Sequence, residues 1–181
     1  IAEAVDAGIF LFHVESEAEL QNIARIAAGK NETARVALRV NPDVDAQTHP
    51  YISTGLKENK FGISIDDALI AYQRAAEAKH IEVYGIDCHI GSQITEAQPF
   101  QDALASLLRL KDQVEQMGVK IRYLDMGGGL GITYNDESPP HPREYARAII
   151  RQLQGTALKL ILEPGRVIVG NAGILVSRVL Y

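Results

Sequence analysis

Two glycine-bearing turns carry the residue types in this sequence that are best suited to chemistry. The first, residues 125–131, reads DMGGGLG, and the second, residues 163–166, reads EPGR. Consecutive glycines at the end of a strand leave backbone N–H groups accessible, because no Cβ holds a ligand away, and such a concavity suits a phosphate. A carboxylate beside a phosphate makes sense if it faces a basic part of the same ligand, such as a ring nitrogen. The two turns predict a phosphate carried on a larger molecule, with Glu163 facing its basic part.

The glycine triplet has a second interpretation, in which it is simply a flexible turn. Its spacing, Gly127-x-Gly129-x-Gly131, also differs from the dinucleotide-binding pattern G-x-G-x-x-G. The second turn favours the ligand-binding interpretation, because each turn follows a short apolar run of strand type, at 121–124 and at 158–162. In an α/β barrel, the loops after the last two strands usually form the phosphate site.

The composition indicates a soluble chain of one-domain size and excludes several functional classes. The 181 residues are 46% hydrophobic with a net charge of −5, and no run of Lys or Arg exceeds two residues, which argues against nucleic-acid binding. No apolar stretch approaches the roughly 18 residues of a membrane span, and no signal peptide is recognisable. The single cysteine, Cys88, excludes an internal disulfide and fits a reducing cytoplasm.

Strand-like and helix-like segments alternate along the chain and must position the two turns. Apolar runs predict strands at 9–14, 36–41, 83–89, 121–124 and 158–162. Capping patterns and helical spacing predict helices that begin at Ser16 and at Ser64, a long helix over 98–117, and a helix opened by His141-Pro142. The apolar face expected for the Ser64 helix is Leu69, Tyr72, Ala75 and Ala76.

Two further segments have no helical period. Residues 41–62 combine prolines and a glycine with several large apolar side chains, and we favour a structured active-site or interface loop over disorder. Residues 167–169 and 174–181 suggest the start of a β-rich region. The sequence opens in what reads as the middle of a helix and stops inside a β-like run, so we expect it to be a piece of a longer protein.

Alternation of strands and helices with long connections predicts parallel βαβ units. We count five strands, each followed by a helix except the last. Five strands fit part of an α/β barrel, and they also fit an open doubly wound sheet, so the count does not decide between these two folds.

Side-chain alternation along the predicted strands brings polar residues to one face of the sheet. His13, Arg39, His89 and Glu163 each lie at or near the carboxyl end of a strand, opposite an apolar row that would pack on helices. We therefore expect these four side chains to converge at the carboxyl mouth of a barrel. Asp87 and Asp125 are interpreted as inward structural polars, and Cys88 as a small buried hydrophobe facing the helices.

Through four motifs and their order along the chain, the sequence resembles the fold-type III PLP-dependent decarboxylases. The motifs are KFG at 60–62, HIGSQ at 89–93, GGG at 127–129 and EPGR at 163–166, and the loop 41–55 matches as well. The resemblance covers essentially the whole chain. Within that family the sequence is most similar to the diaminopimelate decarboxylases. The resemblance implies pyridoxal 5'-phosphate (PLP) as cofactor and decarboxylation of meso-2,6-diaminopimelate to L-lysine. Alternatives are a related decarboxylase acting on ornithine, arginine or carboxynorspermidine, and a catalytically dead homologue that binds PLP weakly or regulates a partner by mixed dimerisation.

The resemblance also implies roles for individual residues. Glu163 would pair with the pyridine nitrogen and His89 would stack on the cofactor ring, which makes these two the expected catalytic residues. The phosphate would be held by Gly127, Gly128, Gly129, Gly165 and the backbone of Arg166, with a hydroxyl donor from Ser92, and Pro164 would be a further cofactor-binding residue. The side chain of Arg166 would bind a substrate carboxylate. Arg39 would lie near the ring edge, and Lys60 is interpreted as a loop or intersubunit contact. No histidine spacing suggests a metal site.

At the level of architecture, the resemblance implies a (β/α)8 TIM-type barrel followed by a β domain. Residues 1–166 would be part of the PLP-binding barrel, holding its last five strands, and residues 167–181 would begin the C-terminal domain. A strand carrying the lysine that binds PLP would precede Ile1, and an acidic-cysteine motif that completes the partner subunit's site would follow Tyr181. We therefore expect a cytoplasmic homodimer in the full-length protein, and no catalysis by this polypeptide alone.

Overall fold

A computed structural model describes residues 1–44 and 61–181 of the chain. Within these ranges the strands are β1 Phe12–Val14, β2 Ala34–Asn41, β3 Ile63–Ser64, β4 Ile81–Asp87, β5 Tyr123–Asp125 and β6 Lys159–Ile161. The helices are α1 Ala2–Asp6, α2 Glu17–Gly29, α3 Ile65–Glu77, α4 Gln98–Gln116, α5 Pro142–Leu153 and α6 Arg166–Val169. Strands and helices alternate as the sequence predicts, except that the two-residue β3 is a sixth, unpredicted strand and α6 follows the last strand.

The strands form one parallel sheet in the order β1-β2-β4-β5-β6, and β3 extends β2 by a short additional pairing. The prediction of parallel βαβ units is therefore confirmed. Strand order follows chain order without the reversal that defines a doubly wound sheet. Apart from β3, strands that are neighbours in the chain are also neighbours in the sheet, as in the wall of an α/β barrel. β1 and β6 are the two edge strands of this sheet.

Side-chain caps fix where three of the helices begin. Ser16 accepts a hydrogen bond from the backbone of Glu19, and Ser64 accepts one from the backbone of Asp67, so both serine caps are confirmed. The third cap is His141, whose ring accepts from Arg143 N at 3.1 Å. A histidine is not among the residue types that usually occupy this position, so only Pro142 marks the start of α5 by its residue type.

The core lies between the sheet and the helices packed on it. Its largest fully buried side chains come from all of the longer helices and include Ile23, Tyr72, Phe100, Leu104, Leu107 and Ile149. Tyr72 is wholly buried, and its hydroxyl donates to Gly85 O at 3.0 Å, which ties α3 to the middle of β4. Cys88 is buried in the same apolar cluster, as predicted.

Several strand boundaries differ from the sequence prediction: β2 and β4 begin two residues earlier, β5 covers 123–125 and not 121–124, and β6 covers 159–161 and not 158–162. Two further differences concern the ends of predicted apolar runs. β1 does not cover 9–14: it begins at Phe12, and Ile9 and Phe10 before it are 43% and 46% exposed. β4 ends at Asp87, which places His89 in the following loop. In both cases the apolar run is longer than the hydrogen-bonded strand, because hydrophobicity does not report where backbone pairing stops.

Two helix predictions are also corrected. On α3 the buried face includes Ala68 and not Ala76, while Leu69 is half-buried. Residues 167–169 belong to helix α6 and not to a strand, and 174–181 form no regular secondary structure. The β-branched run after Arg166 favours a strand by propensity, but its N–H groups bond locally, as in Ile168 N to Gly165 O at 3.0 Å.

Most of the predicted loop 41–62, with Lys60, lies outside the described residues, so its interpretation stays a prediction. Among the residues that the structure describes, no helix has the length and apolar character needed to cross a membrane.

Adjacent isoleucines on α5 offer a test of this packing. Ile149 is 0% exposed and Ile150 is 55% exposed. In the full-length protein, Ile149→Ala should lower the free energy of unfolding by about 2–5 kcal/mol, because it removes buried methyl groups and leaves a cavity. The matched control Ile150→Ala should change it by less than about 0.5 kcal/mol. Urea unfolding measures both, and equal effects would contradict the orientation of α5.

Candidate active site

A polar pocket of about 430 Å³ lies at the carboxyl ends of the strands. Its lining residues come from β1, β2, β4, the loops that follow β1, β4 and β6, and the residues just before β3: His13, Glu15, Arg39, Phe61, Asp87, His89 and Glu163. The four polar side chains that alternation placed on one face are all among them. The prediction that they converge is confirmed.

His13 is surrounded by three carboxylates. Its Nδ1 lies 3.3 Å from Asp87 Oδ2 and 3.9 Å from Glu163 Oε1, and its Nε2 lies 3.6 Å from Asp125 Oδ2. Asp87 and Asp125 are opposite each other on β4 and β5 and are 4% and 1% exposed. The sequence predicted these two aspartates as inward polars, and the structure confirms it.

The pKa values in the pocket follow from these contacts. The hydrogen bond to Asp87 raises the pKa of His13, with help from the charges of Asp87, Asp125 and Glu163, against the lowering effect of burial. Burial raises the pKa of Asp125 to about 6, although the N–H of Gly127 opposes this shift.

His89 shows the opposite behaviour. Burial lowers the pKa of His89, and the positive charge of Arg39 lowers it further. The pocket therefore favours an imidazolium at His13 and a neutral imidazole at His89.

His13, Asp87 and Asp125 also place three ligand-type atoms within 4.8 Å of one another. A histidine binds a metal through the lone pair of a ring nitrogen. In this cluster, both ring nitrogens of His13 face carboxylate oxygens. That geometry fits two N–H donors, so we assign the cluster to ion pairing.

The glycine turn after β5 uses part of its hydrogen-bonding capacity within the protein. Gly127 N donates to Asp125 Oδ1 at 2.8 Å, and Gly128 N donates to His89 Nδ1 at 3.2 Å. A phosphate at this turn would therefore be held mainly by other N–H groups, and the cradle formed by residues 127–129 stays a prediction.

The same glycines allow three loops to approach one another closely. A Cβ on Gly128 would lie 2.4 Å from Glu163 O, and one on Gly129 would lie 2.2 Å from Gly91 O. Glu163 N also donates to Gly127 O at 2.8 Å. The turns that follow β4, β5 and β6 are thus in direct backbone contact, which places Glu163 and His89 beside the glycines.

The loop after β4 is anchored by Gln93, the last residue of the HIGSQ motif, for which the sequence predicted no contact. Gln93 Nε2 donates to Ile132 O at 2.5 Å, and Gln93 Oε1 accepts from Ile132 N at 3.1 Å. This paired contact fixes the loop that carries the half-buried Ser92. The expected contact of Ser92 with a phosphate stays a prediction.

Two partners of the predicted arginines were missed. Arg39 donates to Glu15 and lies over the ring of Phe61, 5.5 Å from its centroid. Arg166 donates to the hydroxyl of Tyr134 at 2.8 Å. Glu15 could have been found from its position directly after β1, but nothing in the sequence pattern joins Tyr134 to an arginine 32 residues later.

Comparison with known proteins gives a consistent result. Residues 1–170 match the family model for "Pyridoxal-dependent decarboxylase, pyridoxal binding domain". The chain is 58% identical over 178 residues to the diaminopimelate decarboxylase of Pseudomonas aeruginosa and 53% identical over 182 residues to that of Haemophilus influenzae. These alignments cover 98% and 100% of this chain but 43% and 44% of the two relatives. The chain therefore spans less than half of their length.

A solved structure agrees with the sequence comparison. Diaminopimelate decarboxylase from Helicobacter pylori, complexed with L-lysine, superposes with a TM-score of 0.86 at 39% identity. The match covers 92% of this chain and 42% of that one. The sheet described above corresponds to part of the barrel of such enzymes.

The close loop contact at Gly129 can be tested against a glycine in open space. Gly129 has φ +99° and a carbonyl 2.2 Å from a built Cβ, whereas Gly118 has φ +86° and nothing within 4 Å. Gly118→Ala should cost about 1–2 kcal/mol of stability from the backbone conformation alone. Gly129→Ala should cost more than about 3 kcal/mol, since a clash is added. Chemical denaturation of the full-length variants compares them, and equal losses would contradict the contact.

Proposed function

Because the chain belongs to the family of pyridoxal-dependent decarboxylases, we propose that the full-length protein decarboxylates meso-diaminopimelate to L-lysine. The cofactor of the family is PLP, in agreement with the sequence prediction. The observation that carries the proposal is the meeting of His89 and Glu163 in one pocket, where both residues are hydrogen-bonded to the adjacent glycine turn. The names of the most similar relatives support the choice of substrate.

The residues present fit a phosphorylated pyridine. The glycines of the turn have no Cβ that could hold a ligand away from their backbone. Glu163 supplies a carboxylate, with 53% of its side chain exposed to the pocket and solvent. His89 supplies a flat ring whose lowered pKa favours the neutral form.

Each residue then has a defined part in the reaction. When bound, PLP supplies the electron sink that accepts the electron pair left by departing CO₂. Glu163 would hold a proton on the pyridine nitrogen, and His89 would pack against the ring without adding a second positive charge. The phosphate would be held at the glycine turn, residues 127–129, and by Gly165 and the backbone of Arg166, with a hydroxyl donor from Ser92, and Pro164 would also contact the cofactor. Because Gly127 and Gly128 already donate within the protein, the remaining N–H groups would carry most of this binding.

Arg166 is proposed to bind the distal carboxylate of the substrate. Its planar guanidinium can form paired hydrogen bonds with a carboxylate, which an ammonium cannot. Tyr134 accepts a hydrogen bond from Arg166 Nη1 at 2.8 Å and places its ring 5.6 Å from the guanidinium carbon. This contact would restrict the arginine side chain, leaving its other donors for the substrate.

The assembly and location are part of the same proposal. Residues 1–166 would contribute to the PLP-binding barrel, and the C-terminal β domain would begin within 167–181. The full-length protein would be a cytoplasmic homodimer. The orientation of Arg39 toward Glu15 and Phe61 keeps it at the pocket wall, consistent with a position near the ring edge.

Glu163→Gln tests the role of the carboxylate in the full-length enzyme. A neutral amide cannot hold the pyridinium proton, so kcat should fall more than about a hundredfold, about 3 kcal/mol of transition-state stabilisation. Cofactor content, read from the absorbance of bound PLP, should be retained. Glu82→Gln is the matched control, because Glu82 pairs with Arg35 and Arg122 away from the pocket. Near-normal turnover by Glu163→Gln would leave Glu163 a structural role only.

Arg166→Lys tests the substrate. The lysine keeps the charge but loses the paired donors, so KM for diaminopimelate should rise about ten- to a hundredfold, or about 1.4–3 kcal/mol. The exposed Arg151 on α5 provides the control Arg151→Lys, which should behave as the parent does. All three proteins are assayed on diaminopimelate, ornithine and arginine. A parent that prefers ornithine or arginine would overturn the proposed substrate, and loss of PLP from Arg166→Lys with unchanged KM would make Arg166 a cofactor ligand.

A further inference from the structure

His13 occupies the centre of the polar pocket without a place in the proposed reaction. Its side chain is 26% exposed, and its two ring nitrogens face Asp87 and Asp125 at 3.3 and 3.6 Å. A neutral imidazole has one N–H and one lone pair, so it can donate to one of these carboxylates only. An imidazolium has two N–H groups, so it can donate to Asp87 and also form an ion pair with Asp125, whose Oδ2 lies 3.6 Å from Nε2, beyond hydrogen-bond distance. The geometry around the ring is therefore that of a cation between two anions.

The two aspartates need such a cation. They lie on adjacent strands with their Cα atoms in register, and both are almost completely buried. Within residues 1–44 and 61–181, Asp87 Oδ1 and Asp125 Oδ2 have no hydrogen-bond partner. Two neighbouring buried carboxylates repel each other, and a buried charge is unfavourable unless it is paired.

The other cation that lines the pocket is directed elsewhere. The guanidinium of Arg39 pairs with Glu15 and lies over the ring of Phe61. His13 is thus the positive group that contacts the aspartates among the lining residues. Its Nδ1 also lies 3.9 Å from Glu163 Oε1, so one ring links the buried pair to the carboxylate at the mouth.

We propose that His13 is a positioning residue for Glu163: as an imidazolium it offsets part of the negative charge of the Asp87–Asp125 pair and keeps the Glu163 carboxylate ionised and directed into the pocket. The inference rests on the proposed function, in which an ionised Glu163 holds the ring proton. Without the positive charge, three neighbouring carboxylates would repel one another. Glu163 is the most exposed of the three, at 53% of its side chain, so it is the one that can turn away from the buried pair.

The charged groups around the ring act in different directions. Asp87 on β4, Asp125 on β5, and Glu163 and Glu15 in the loops all favour the imidazolium by their negative charge. Arg39 on β2 and any protonation of His89 oppose it. The hydrogen bond that His13 donates to Asp87 is the largest influence and raises the pKa of His13. His13 should therefore hold its proton at pH values where a free imidazole has lost it.

The protonation state can be measured residue by residue in the PLP-loaded, full-length enzyme. Hydrogen–deuterium exchange at the imidazole C–H, followed by mass spectrometry across pH, yields a pKa for each histidine. We expect His13 to titrate above the ordinary histidine value of about 6.5, and Asp87→Asn to lower its pKa. A His13 that titrates at or below that value in the parent would overturn the inference.

The link to Glu163 is tested with His13→Asn, which keeps a polar side chain but cannot carry a charge. The acidic limb of the kcat–pH profile should move up by about one pH unit, because protonation then competes with the ionised carboxylate. KM for diaminopimelate should stay within about twofold, since Arg166 is untouched. His80→Asn is the matched control, as His80 bonds Glu32 O far from the pocket and has φ +63°, which asparagine tolerates.

The outcomes separate this inference from the proposed function. A parent that does not decarboxylate diaminopimelate overturns the function, while the exchange measurement still reports the state of His13. An active parent with an unchanged acidic limb in His13→Asn overturns the positioning role alone. A purely structural role of His13 would lower the melting temperature of His13→Asn without moving the pH profile, and that result would also count against the proposal.

Discussion

The backbone contact among three loops is the constraint on which the pocket depends. Gly128 and Gly129 bring the turn after β5 against Glu163 O and Gly91 O, at distances that no side chain could accept. Because each loop continues a strand of the sheet, these contacts fix the carboxyl ends of β4, β5 and β6 relative to one another. The glycines therefore serve assembly of the site as much as ligand binding, and the N–H of Gly127 is already used by Asp125.

The second organising feature is the division of the sheet into two faces. Along β4, Ile86 and the following Cys88 pack in the core, whereas Asp87 between them faces the pocket. Alternation of this kind concentrates polar groups on one side, where they must satisfy one another. The charge cluster around His13 is the result: buried carboxylates delivered by neighbouring strands need a positive group between them.

Sequence reasoning recovered what local chemistry determines. Serine caps, helix faces and the alternation of strands are local, so Ser16, Ser64 and the four converging polar residues were predicted correctly. Predictions failed where the structure of a segment depends on contacts with residues distant in the sequence. The extent of β1, the helical turn at 167–169 and the pairing of Arg166 with Tyr134 depend on which backbone or side chain lies opposite. Alternation could place His13 and Asp87 on the same face but could not report the contact between them.

The two histidines of the pocket, His13 and His89, differ because of their contacts and not because of their local sequence. Each follows an apolar run, and residue type alone does not predict that their pKa values shift in opposite directions. Yet the pKa of His13 is raised by the carboxylates it contacts, and the pKa of His89 is lowered by burial and by Arg39. Groups whose environments shift their pKa values in opposite directions are suited to different roles within one site. Here the charged ring can stabilise anions and the neutral ring is suited to packing against a cationic ligand, and it is the surroundings of each ring, not its residue type, that set this difference.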